Sequence, residues 1–74
     1  MSRYFFDVKN GHRLIDPSGL DCRDDQEARK QAIHIAHQIA MEAPHAGGRQ
    51  VAILNNDRQE IGKVPVRLNG KAAE

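Results

Sequence analysis

The chain has 74 residues, 39% hydrophobic and 28% charged, an ordinary globular mixture with room for one domain. Eleven basic against ten acidic residues leave a net charge of +1, which argues against a dedicated nucleic-acid or membrane-surface binder. A single cysteine, Cys22, excludes an internal disulfide, and no stretch approaches the roughly 20 apolar residues of a membrane span or shows a signal-peptide pattern, so a cytoplasmic protein is expected.

Ser2–Lys9 reads as the first strand, because Tyr4, Phe5, Phe6 and Val8 favour a pleated, buried setting. Asn10-Gly11 follows at once and predicts a two-residue hairpin turn. That loop length pairs Lys9 with His12, Val8 with Arg13 and Phe6 with Ile15. The second strand is expected to stop at Asp16-Pro17-Ser18-Gly19, which is turn chemistry throughout.

Asp24 and Glu27 then form a D-x-x-E capping box. Ala28, Ala32, Ile35, Ala36, Ile39 and Ala43 recur at helical spacing, and Pro44 with Gly47-Gly48 ends the run. The spacing predicts a helix over Asp25–Ala43. Its stripe is mostly alanine, so it should lie close to whatever it packs on.

Val51–Asn55 is a short apolar strand, Asn55–Arg58 a polar turn, and Glu60–Leu68 a fourth strand. Pro65 removes a ladder donor and puts that strand at an edge. With Asp57-Arg58 centring the turn, Val51 faces Val64 and Leu54 faces Ile61. Asn69–Glu74 has no periodicity and should fray. The expected fold is α+β in β-β-α-β-β order: a four-stranded antiparallel sheet, order 2-1-3-4, with the helix on one face and one domain over residues 1–68.

Alternation sorts the side chains. Tyr4, Phe6, Val8 and Ile15 are assigned to the helix side. Phe5 is forced to the other side, where Leu14, Ala52, Leu54 and Ile61 are expected to join it, with Asp7, Lys9 and Lys63 among them. A solvated sheet face normally reads polar. An apolar one points to a second chain covering it, so these five residues are the candidate partner-binding set and a homodimer or a protein partner is expected.

Chemistry is harder to find. His34 and His37 sit i, i+3 on the helix, away from the alanine stripe, but two ligands fall short of the three or four a zinc site needs. His45 lies beyond Pro44. Cys22 sits in Asp21-Cys22-Arg23-Asp24-Asp25, where neighbouring acids favour the neutral thiol and oppose nucleophilic use. Asp21, Asp24 and Asp25 lack calcium-loop spacing and fit the attraction of acids to a helix N-terminus. Gly47-Gly48-Arg49 is no phosphate loop. No catalytic, cofactor or metal residue is assigned, and an enzyme is not expected. Arg3, Lys9 and Lys63 near a single aromatic are thin support for stacking a nucleic acid.

The opening Met1-Ser2-Arg3-Tyr4-Phe5-Phe6-Asp7-Val8 resembles the start of a family of small bacterial proteins of unknown function, M-x-R-Y-F-F-x-[VL]. Asp16-Pro17-Ser18-Gly19, Asp24–Ala28 and Val51–Leu54 stand where that family has its D-x-x-G stretch, its capped helix and its V-x-[VIL] strand. The resemblance covers residues 2–68 and implies no catalytic residue. Gly19–Cys22 through Glu27-Ala28 is also similar to the N-terminal domain of HicB-type antitoxins. That likeness implies a regulatory protein binding nucleic acid or a toxin-like partner. The residues themselves favour a non-catalytic protein-protein association module that self-associates through the face opposite the helix.

Overall fold

A computed structural model describes residues 1–10, 12–42 and 48–66. The elements are β1 (Ser2–Lys9), β2 (Arg13–Leu14), β3 (Leu20–Cys22), α1 (Asp25–Glu42), β4 (Gln50–Leu54) and β5 (Glu60–Pro65). The architecture is α+β: an antiparallel sheet ordered β2-β1-β4-β5, with β3 also paired to β1 and α1 packed on one face. The two most apolar strands, β1 and β4, are central, and the proline-bearing β5 is at an edge, as the pattern requires.

Two features differ from the sequence expectation. The sheet has five strands, because Leu20–Cys22 returns to pair with Ser2–Tyr4. The first hairpin also has a different register: Val8 pairs with Leu14 and Lys9 with Arg13. One step of register turns every side chain to the other face. Leu14 therefore shares the side of Val8, not that of Phe5. Residue 11 of the expected turn lies outside the described residues.

β2 and β3 are in effect one edge strand, broken by the segment 15–19. The break leaves the middle of β1 without a strand partner on that side, and a side chain fills in: Asp16 Oδ2 accepts the Phe6 N–H at 3.1 Å. Asp16 Oδ1 accepts the N–H groups of Ser18 and Gly19, closing the loop on itself. Gly19 has φ +70°, and a Cβ there would come within 2.7 Å of the Tyr4 carbonyl oxygen and 2.9 Å of the Phe5 ring. The position requires glycine for both reasons.

The helix begins where the capping pattern placed it. Asp24 Oδ1 accepts the Glu27 N–H at 2.9 Å, and Glu27 reaches back to the Arg23 N–H at 2.7 Å, one residue earlier than the usual box. Ala28, Ala32, Ala36 and Ala40 are buried against Tyr4, Phe6, Cys22, Val51, Ile53 and Val66, with Ile35, Ile39 and Val64 at the margin. The expected helix end at residues 43–47 lies outside the described residues, as do His45, the last two residues of the expected fourth strand and the expected tail. β4 and β5 pair Val51 with Val64 as expected, but a bulge sets Leu54 opposite Glu60 and leaves Ile61 unpaired.

Candidate functional site

The sheet face away from α1 is built from alternate residues of β1 and their cross-strand partners: Phe5 with Leu54, Asp7 with Ala52 and Lys9 with Gln50. Three of the five residues expected to form an association patch, Phe5, Ala52 and Leu54, meet there. Leu14 is on the opposite side by register, and Ile61 stands in the bulge, 40% exposed.

This face is already covered by its own chain. Ala52 and Leu54 are buried and Phe5 is half-buried. Lys9 Nζ donates to Glu60 Oε1 at 2.7 Å, bridging from β1 to β5 across β4. Arg58 lies over the Phe5 ring with its guanidinium carbon 4.6 Å from the centroid. The stems of these long side chains shield the apolar surface beneath while their charged ends stay wet.

The cover is anchored on Asp7, whose side chain is fully buried. Its Oδ2 accepts from Arg13 Nε at 2.9 Å and Arg58 Nη2 at 3.2 Å, and its Oδ1 accepts the Asp16 N–H at 2.9 Å. Arg58 Nη1 also donates to the Asp16 carbonyl at 3.2 Å. Burial alone pushes the Asp7 carboxyl up; the Asp16 N–H, the Arg13 hydrogen bond and the Arg58 charge outweigh it and hold the group below its ordinary 3.8. Arg58 itself sits at φ +63°, a conformation that disfavours a branched Cβ and is usual for glycine or asparagine. Its backbone strain is accepted where its side chain has three partners.

The other groups singled out in the sequence do not converge. Cys22 is buried, and burial with the nearby Glu27, Asp21 and Asp24 pushes its thiol up, away from nucleophilic use. Asp25 Oδ1 accepts the Tyr4 hydroxyl at 2.6 Å, Asp21 pairs with Arg3 at 3.2 Å and Asp24 caps the helix, so all three acids of the Asp-rich stretch have structural partners. Among the described residues no three His, Cys, Asp or Glu side chains gather to hold a metal. No helix among them is long and apolar enough to cross a membrane.

A surface that the alternation argument missed lies along the broken edge. Leu14 is 64% exposed, Ile15 55% and Leu20 43%. Leu14 pairs with Val8 and Leu20 with Tyr4, so both stand on the helix side of the sheet, at its β2–β3 rim. α1 packs over β4 and β5 and reaches β3, while Leu14 and Leu20 stay exposed at the rim. The signal was present in the sequence as Leu14, Ile15 and Leu20 flanking an Asp-Pro-Ser-Gly turn. It was lost because the two-residue turn put Ile15 in the core.

A family model described as Domain of unknown function (DUF6894) matches residues 3–67. The chain belongs to this family. Its match begins at the Arg3-Tyr4-Phe5-Phe6 start and runs past β5, so Asp7, Asp16, Arg58 and the exposed rim all lie inside the DUF6894 region. No curated protein and no solved structure matches the chain.

Proposed function

We propose that this DUF6894 domain is a non-catalytic protein-association module whose first partner is a second copy of itself. The observation that carries the reading is the exposed rim of Leu14, Ile15 and Leu20. Single exposed apolar residues are ordinary, but here three stand along one broken edge, Leu14 and Leu20 on the same side of the sheet. The surface differs from the one the sequence suggested, because Phe5, Ala52 and Leu54 are covered by Arg58 and the ion pairs around it. A two-fold dimer would place the rim against its own image.

The test is sedimentation velocity across a concentration series, with circular dichroism to confirm folding. The parent should associate as concentration rises, and Leu14→Glu with Leu20→Glu should remain folded and monomeric. A parent that stays monomeric at the highest concentration overturns self-association.

A second reading, a regulator that binds nucleic acid or a toxin-like partner as the HicB likeness implies, draws on the cations of the outer face: Arg3, Lys9, Arg13, Arg58 and Lys63. It ranks lower because Asp21, Glu60 and Asp7 already engage the first four. Fluorescence anisotropy with a labelled single-stranded RNA separates the two: salt-sensitive binding by the parent, lost in Lys63→Glu, would favour the regulator.

A further inference from the structure

The solvent face of α1 carries a set of soft donors. His34, His37 and Met41 follow one another at i, i+3 and i+7, and all three side chains are exposed, Met41 by 59%. At 3.6 residues per turn they fall on one narrow stripe, opposite the buried Ala28, Ala32, Ala36 and Ala40. Neighbours three or four apart on a helix have Cβ atoms about 5–6 Å apart, which puts His37 between the other two. An imidazole from one side and a thioether from the other can then reach an ion beside the His37 ring.

We infer that this stripe is a binding site for one copper(I) ion. Three features select that ion. The thioether is a soft donor that prefers copper(I), the two imidazoles accept copper as well, and the set is poor for magnesium or calcium. Between Lys30 and Met41 the helix holds no carboxylate, and Glu42, next after Met41, lies about 100° round the helix from it and off the stripe. Lys30, exposed one turn before His34, opposes a divalent ion twice as strongly as a monovalent one, since the Coulomb energy scales with the ion's charge. Copper(I) accepts two or three ligands without a closed tetrahedral cage, which a single helix face could not build. The histidines alone gave two ligands; the exposed Met41 supplies the third and sets the preference for the reduced ion.

The experiment is an anaerobic titration of the full chain against a chromophoric copper(I) chelator, with ascorbate as reductant. The parent should withdraw one copper per chain. Met41→Leu should weaken copper(I) binding by about tenfold or more, and His37→Ala should abolish it. Both substitutions are on the solvent face, and circular dichroism confirms that the helix persists. With silver(I) as a diamagnetic probe, the Met41 methyl resonance should shift in the parent. Cys22 and Met1 are common to all these variants, so copper held equally by every one belongs elsewhere and overturns the site. It is equally overturned if the parent leaves the chelator complex intact, or if Met41→Leu binds as the parent does.

Discussion

Asp7 and Asp16 tie β1 to the loop that breaks the edge strand although both are acids: Asp7 Oδ1 accepts the Asp16 N–H at 2.9 Å, while Asp16 Oδ2 accepts the N–H of Phe6, the residue before Asp7. Each carboxylate thus satisfies a backbone donor that the broken edge strand leaves without a ladder partner. The two negative charges are balanced from outside by Arg13 and Arg58 on Asp7.

Replacing Asp7 with Asn keeps the shape and removes the charge. The expected loss is roughly 1.5–3 kcal/mol, the range for hydrogen bonds to a charged group. It should not reach the value for a fully buried pair, because Arg13 and Arg58 remain 40% and 39% exposed and hydrate when released. Urea denaturation at neutral pH measures it.

The same carboxylate sets an acid limit. Its folded value lies below 3.8, so its contribution is fully present above 3.8 and is lost as pH falls through the lower folded value. Denaturation midpoints followed down the acid range should drop for the parent more steeply than for Asp7→Asn. Parallel curves would remove Asp7 from the account.

Tyr4 sets a corresponding alkaline limit. The hydrogen bond to Asp25, then burial, pushes its phenol up to about 12. An unfolded chain ionises Tyr4 near 10.0, so stability present below that value is lost as pH rises from 10.0 to about 12. Tyr4→Phe should remove that part of the alkaline loss, and thermal melts across this window test it.

Gly19→Ala should destabilise by at least about 1–2 kcal/mol, the penalty of the left-handed conformation for a residue with a Cβ. The approach to the Tyr4 carbonyl adds to it, since backbone must move. Faster amide exchange at Ser18 and residue 19 would show that the loop has lifted off β1. Unchanged exchange with unchanged stability would contradict the packing described.

Phe6→Ala tests the core from the other side of the same strand. Phe6 is 7% exposed among the helix alanines, and truncation should cost roughly 3–5 kcal/mol. In so small a domain that is enough to lose the cooperative transition in a calorimetric scan.

The strand order was legible because two local signals agreed: the apolar richness of Tyr4–Val8 and Val51–Leu54, and Pro65 at an edge. The helix start was legible in Asp24 and Glu27. The pairing of Leu20–Cys22 was not, since three residues are too few to set a period. The hairpin register was misjudged because a turn motif names only a favoured loop; in the observed register Arg13 lies opposite Lys9, on the face of Asp7, and bonds to it. Arg58 reaches Asp7 from 51 positions away, and no local pattern announces such a contact. The one hint was Asp7 itself, a lone acid in an aromatic strand, which needed a buried partner.

The broken edge has a consequence for how copies of this chain can meet. A continuous free strand invites another strand to add, layer upon layer, toward a fibril. Here one rim offers ladders of two and three residues separated by a loop, and the other ends in Lys63 and Pro65. Neither rim can template backbone pairing for long. Association through Leu14, Ile15 and Leu20, as proposed, would therefore rest on side chains alone, and would close on its partner instead of adding strand to strand past the loop that Asp16 holds.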